Sequence, residues 1–238
     1  MNIQILQLLE GAQQATGVAV IIDVFRAFSV ESFLFHCGAE KIIPVADINL
    51  AYAYKEKDPS VVLIGERGGR ICDGFDFGNS PSQIEGENLH GKTVVHTTSS
   101  GTQGLFGAVN AQVVLGASLV NAAATAAYIR RQGFDTVSLV CMGLAGIAPT
   151  EEDTLCARYI QSLLEGRPIS LDEEIEDLKR TSGAKFFDPS QNDVFPEKDF
   201  ALCTQVDRFP FALCLETDEQ GQRYMKQIII AQEDIRCN

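Results

Sequence analysis

Residues 18–26 read Val18-Ala19-Val20-Ile21-Ile22-Asp23-Val24-Phe25-Arg26. A continuous apolar run ended by an acid is the pattern of a strand buried on both faces, as in a parallel sheet covered by helices on either side. Val18–Val24 is therefore expected as a strand. Helical spacing follows over Phe28–Cys37 and stops at Gly38, a good residue just past a helix end. The same alternation continues outward. Lys41–Val45, Val61–Gly65, Thr93–Thr97, Gln112–Leu115 and Thr136–Met142 read as short strands. Ile48–Lys57 (capped by Asp47), Thr102–Val109, Asn121–Gln132 and Thr150–Glu165 read as helices between them. Strands alternating with helices give an α/β fold, here a three-layer α/β/α sandwich with a mostly parallel sheet.

The last third is less regular. Leu171–Arg180 reads as a polar helix, and Ser182–Glu197 as an irregular segment able to pack through its phenylalanines. Phe200–Val206 reads as a helix end. Ala212–Glu216 and Tyr224–Ile230 read as two strands that make the sheet mixed. No repeat, low-complexity tract or linker interrupts the chain, so residues 1–238 are expected to form a single α/β domain.

Composition narrows the classes of function. The 238 residues are 45% hydrophobic and 21% charged, enough for a sizeable core. The net charge of −13 argues against nucleic acid as a partner, because such binding needs a basic surface. A small anion remains compatible, since a local arginine cluster or a bound cation can reverse the field inside a cleft. The seven cysteines include no CxxC pair, which suits reduced, buried thiols and a cytoplasmic location. The first residues carry no basic segment, and no apolar run reaches membrane-spanning length.

Polar clusters stand at the ends of the apolar runs. Asp23 and Arg26 follow the first, Glu66-Arg67-Gly68-Gly69-Arg70 the third, and Thr97-Thr98-Ser99-Ser100-Gly101-Thr102 the fourth. In a parallel sheet these tips are expected to lie side by side, where ligands bind. Carboxylates there suit a hard cation such as Mg2+, arginines suit an anionic group, and a hydroxyl-rich turn into a helix suits phosphate. Each has a plainer reading. Asp23 can cap the next helix or pair with Arg26, Glu66 can form a structural ion pair, and the 97–102 turn can be simple capping. Asn79 and Ser80 in the long loop can reach a ligand, and Asp76 adds an acid. Thr150 and Asp153 fit a capping box, from which Glu152 or Asp153 can still reach a metal. His36 reads as structural, His90 as a loop residue, and His96 as turned away from the cluster. No zinc spacing is present.

These segments, in this order, resemble the 2-phosphosulfolactate phosphatase family. The pieces are Ile22–Ala27, Gly65-Glu66-Arg67, Gly74–Pro81, Thr97–Thr102 and Glu152-Asp153. The resemblance implies a Mg2+-dependent hydrolase that converts 2-phosphosulfolactate to sulfolactate and phosphate, a step of coenzyme M synthesis in methane-forming organisms. It also implies a three-layer α/β/α fold and a homodimer. On this reading Asp23, Arg26, Glu66 and Arg67 carry the chemistry, and Asp23, Glu66 and Asp153 hold Mg2+. Arg70, Asn79, Ser80, Thr97, Thr98, Ser99, Ser100, Gly101 and Thr102 bind the small phosphorylated substrate. Attack by water and attack by Asp23 both fit these residues. A phosphotransferase and a non-catalytic anion binder are the alternatives.

Overall fold

A computed structural model describes residues 1–236. The strands are β1 (Asn2–Gln7), β2 (Gly17–Ile22), β3 (Lys41–Pro44), β4 (Val62–Arg67), β5 (Arg70–Ile71), β6 (Thr93–Thr97), β7 (Ala111–Ala117), β8 (Thr136–Cys141), β9 (Phe211–Thr217) and β10 (Arg223–Ile229). The helices are α1 (Leu8–Gln14), α2 (Ala27–His36), α3 (Ile48–Lys57), α4 (Pro81–Ile84), α5 (Gly101–Gly107), α6 (Ala122–Gln132), α7 (Glu151–Leu164), α8 (Asp172–Leu178), α9 (Glu197–Cys203) and α10 (Gln232–Arg236).

The run that opened the sequence becomes β2, and its alternation builds the three layers. Val18, Val20 and Ile22 face one core, with Ile129 of α6 and Leu155 and Ile160 of α7. Ala19 and Ile21 face the other, with Phe28 and Phe33 of α2 and Leu105 of α5. Residues i and i+2 of a strand share a face, so five apolar residues suffice to hold a helix layer on each side. Asp47 caps α3 as expected, its side chain accepting from Asn49 N. α6 ends on Gly133, whose φ of 70° is the left-handed geometry that glycine takes without strain.

Two features were not legible. β1 and α1 precede the first expected strand. Here β1 is a half-buried edge strand parallel to β8, with glutamines among its apolar residues. The second feature is the strand order, β1-β8-β2-β7-β9-β10-β3-β6-β4-β5. Two parallel blocks, β1-β8-β2-β7 and β3-β6-β4, are joined by the antiparallel β9–β10 hairpin. The late strands do make the sheet mixed, but they lie at its centre. Their outer joints are short. β9 meets β7 at Leu115↔Cys214 and Gly116↔Leu213, and β10 meets β3 at Met225↔Ile42.

β4 and β6 are parallel neighbours as expected, but this order corrects the expectation that the tip of β2 lies beside theirs. From β2 to β6 is five steps across the sheet, which in a flat sheet would be about 24 Å. Yet a Cβ placed on Gly101, just past β6, would lie 3.0 Å from Asp23 Oδ2, just past β2. The 98–101 turn therefore carries the chain from the β6 tip to the β2 tip.

Candidate functional site

The convergence leaves a cavity of about 200 Å³ at these strand tips. Its lining includes Asp23, Glu66, Ser99, Ser100, Glu152 and Lys185. Asp23 is buried at the end of β2. Its Oδ1 accepts from Ala27 N at 3.1 Å and so starts α2, which satisfies the plain capping reading. Oδ2 accepts no hydrogen bond among the described residues and looks toward Gly101. Burial pushes the Asp23 carboxyl up to about 6, and repulsion from Glu66 and Glu152 acts in the same direction.

Glu66 stands one residue before the end of β4, ahead of a two-residue hairpin turn. Gly68 and Gly69 turn the chain with φ of 60° and 81°, a conformation that favours glycine. The Glu66 oxygens clamp two loops. Oε2 accepts from Gly69 N at 2.7 Å, and Oε1 accepts from Ser99 N at 2.7 Å. In the next turn, Thr102 Oγ1 accepts from Thr98 N and Thr98 Oγ1 accepts from Thr102 N, both at 3.2 Å. Ser100 Oγ donates to Gly143 O at 3.0 Å. Thr98, Ser99 and Ser100 line the cavity, whereas Thr97, Gly101 and Thr102 support it from behind.

Several expected roles are corrected by this geometry. Asp153 accepts from Val24 N and Gly143 N, one on each oxygen and both at 2.8 Å. It ties two strand tips together and lines the cavity beside Asp23, and it forms no capping box with Thr150. Arg67 does not line the cavity. Consecutive strand residues point to opposite faces, so with Glu66 inward Arg67 turns outward. There it donates to Thr97 Oγ1 at 2.9 Å and to Glu66 O at 2.7 Å. Arg70 is exposed and pairs with Asp193 at 3.1 Å. Ser80 donates to Asp199 Oδ1 at 2.9 Å and borders a smaller adjoining cavity. Asp76 accepts from Leu63 N and pairs with Lys55, away from the cavity.

Arg26 lines the cavity, but its guanidinium is already engaged. It donates to Asp199 Oδ2 at 2.6 Å and to Val194 O at 2.8 Å, beneath the Phe195 ring. Asp199 is fully buried and also accepts from Ser82 N at 2.9 Å. The cation that faces the acids is Lys185, which the sequence did not single out. It sits in the irregular 182–197 segment, with Nζ 5.2 Å from the Phe195 centroid and 5.5 Å from that of Phe186. Burial lowers its pKa from the usual lysine range, and the nearby Glu152 opposes that shift. The sequence signal was a lysine beside Phe186-Phe187, a cation placed among aromatic faces. Glu152 is also buried. Its Oε2 has no hydrogen-bond partner, and burial raises its pKa.

A sequence profile of the family described as 2-phosphosulpholactate phosphatase matches residues 3–218. The chain belongs to that family. It is similar to a Bacillus subtilis protein named "Probable 2-phosphosulfolactate phosphatase", with 32% identity over 216 residues, covering 89% of this chain and 92% of that one. A Carboxydothermus hydrogenoformans protein of the same name is 39% identical over 176 residues, covering 73% and 72% of the two chains. One from Thermoplasma acidophilum is 31% identical over 193 residues, covering 80% and 82%. The match to the 2-phosphosulpholactate phosphatase family takes in every segment that lines the cavity. Among the described residues no helix is long and apolar enough to cross a membrane.

The tight approach at Gly101 gives a direct check. A Cβ there would lie 2.7 Å from Ala27 Cβ and 3.0 Å from Asp23 Oδ2. Gly101→Ala is expected to push the 98–101 turn off Asp23, costing about 1–3 kcal/mol of stability as overpacking does. Turnover by the folded variant should fall at least tenfold (roughly, for a misplacement near 1 Å). Thermal melting and steady-state kinetics on the same sample check both.

Proposed function

We propose that this protein is a phosphatase acting on the phosphate monoester of a small acid, with 2-phosphosulfolactate as substrate and sulfolactate and phosphate as products. The observation that carries this reading is one cavity holding a buried acid cluster, a lysine ammonium and a hydroxyl-lined turn. Family membership supports the reaction, and the lining of the cavity is suited to it.

The acid set fits Mg2+. Asp23 and Glu66 supply hard oxygen donors, Oδ2 of Asp23 is uncommitted, and the mutual repulsion of Asp23, Glu66 and Glu152 is what a cation relieves. Among the described residues, no three or more His, Cys, Asp or Glu side chains are arranged to hold a metal ion by themselves. Asp23 and Glu66 would therefore share it with waters and the substrate's phosphate, the usual habit of Mg2+. When bound, it would offset negative charge on the phosphoryl oxygens.

The chain's own groups do the rest. Lys185 and the hydroxyl of Ser99 hold the phosphoryl oxygens and meet the charge that develops there, while Ser100 fixes the turn through Gly143. As the phosphoryl group passes to water, Glu152, whose pKa burial raises, is the acid that protonates the leaving oxygen and regains a proton from solvent. The phenylalanines around Lys185 exclude bulk water and so strengthen these contacts.

The test is phosphate release from 2-phosphosulfolactate by the purified protein. Release is expected with Mg2+, loss of release on adding EDTA, and recovery on restoring Mg2+. Silence with 2-phosphosulfolactate and a panel of phosphorylated hydroxy acids would overturn the phosphatase reading. Release unaffected by EDTA would overturn the Mg2+ assignment alone. Transfer of phosphate to an added alcohol in place of water would favour a phosphotransferase.

A further inference from the structure

Behind the cavity wall lies a buried row of three polar side chains outside the mechanism above. Glu31 on α2, His96 on β6 and Asn79 in the loop before α4 are all buried. Glu31 Oε1 lies 3.0 Å from His96 Nδ1, and His96 Nε2 lies 3.3 Å from Asn79 Oδ1. Glu31 Oε2 has no partner. The far end of the row emerges into the substrate cavity, because Asn79 lines both it and the adjoining smaller cavity.

The hydrogen bonds fix a direction. Asn79 presents its carbonyl oxygen to His96 Nε2, and a carbonyl only accepts, so Nε2 carries the proton. The Asn79 NH2 group is then turned the other way, and it donates to no acceptor among the described residues. Buried polar groups are costly unless they are satisfied or used. We propose that Glu31 and His96 are positioning residues that lock the Asn79 amide with its NH2 toward the cavity, as a donor to an anionic oxygen of the substrate. This rests on the phosphatase reading for the charge of that substrate. His96, which the sequence turned away from the cluster, thus acts on the site through one intervening side chain.

A plain structural role would have the row only pin the 72–80 loop to the sheet. The first measurement tests the Asn79 orientation that the proposal needs, and the second separates positioning from pinning. In 15N-histidine-labelled protein, NMR should find His96 Nε2 protonated. An Nε2 lone pair would overturn the proposal, and this readout needs no activity. The second is a kinetic cycle with 2-phosphosulfolactate. Asn79→Asp keeps the accepting oxygen and removes the donor, and is expected to lower kcat/KM roughly 10- to 100-fold, mainly by raising KM. His96→Leu should lower kcat/KM about tenfold when Asn79 is present and cause no further loss beside Asn79→Asp. His96→Gln, which can still donate to the Asn79 carbonyl, should restore KM.

Equal losses from His96→Leu with and without Asn79, or a wild-type KM in Asn79→Asp, would overturn the proposal. If the leucine variant does not fold, His96→Gln decides in its place: the same kcat/KM loss with and without Asn79 would overturn the proposal. A wild-type protein that releases no phosphate would overturn the phosphatase reading and leave the NMR result to judge the Asn79 orientation.

Discussion

Asp23→Asn is expected to abolish phosphate release while raising the melting temperature of the metal-free protein. The loss follows from position. Asp23 is the acid whose Oδ2 is uncommitted at the centre of the cavity, and removing such a charge from a phosphoryl-transfer site costs on the order of 10³-fold or more. The gain follows from burial. In the unfolded chain Asp23 titrates near its ordinary value of 3.8, and in the folded chain its carboxyl is raised to about 6. At pH 4 and below the group is largely protonated in both states and little of the cost is present. As pH rises from about 4 to about 6 the unfolded state gives up its proton while the folded state keeps it, so stability is lost across that window and levels off above it. The loss is on the order of 3 kcal/mol. Asparagine keeps the oxygen that accepts from Ala27 N and never ionises. At pH 7.5 in EDTA the variant should therefore melt several degrees higher (roughly 2–4 °C per kcal/mol for a chain of this size). At pH 4 the two proteins should melt together, and Mg2+ should close the gap at pH 7.5 by stabilising the wild type. Full activity in the variant, or the same melting difference at both pH values, would refute this account.

Asp199→Asn is expected to be among the most destabilising single changes in the protein. The carboxylate it removes holds Arg26, Ser80 and the Ser82 amide at once, with no exposed surface. Arg26 would be left as a buried charge without its counter-ion, which costs about 3–5 kcal/mol. A drop in melting temperature of roughly 10 °C or more is the corresponding reading. The paired change Arg26→Met with Asp199→Leu removes both charges and should recover a large part of that loss, because the desolvation of both ions is removed as well. A single variant that melts like wild type would show that the pair adds little. The paired variant also separates structure from chemistry. If Arg26 only braces the wall beneath Phe195, its folded form should keep measurable phosphatase activity.

What could be read from the chain depended on how local the cause was. β2 was legible because five apolar residues in a row have few other solutions, and Asp23 was legible because an acid ending such a run is out of place in a core. Glu66 and the 98–100 turn followed for the same reason. Arg67 was misjudged because residue type was weighed before strand alternation, which turns it outward once Glu66 faces in. The capping box expected of Thr150 and Asp153 does not form, because the partners of Asp153, Val24 and Gly143, come from two strand tips. Lys185, Asp199 and the Glu31–His96 pair were not legible. Each takes its meaning from partners far along the chain, and no short motif announces that kind of pairing. Strand order was hidden for the same reason, since nothing in β9 or β10 says that they go to the centre.

That central hairpin bears on how the protein is made. Within the sheet, the block carrying Asp23 and the block carrying Glu66 are joined through residues 211–229, strands made after all the others. Until then a nascent chain holds two half-sheets with open inner edges, each exposed to wrong pairing. The sheet becomes continuous when the hairpin seats between them. The two halves of the pocket thus gain a shared floor late in synthesis.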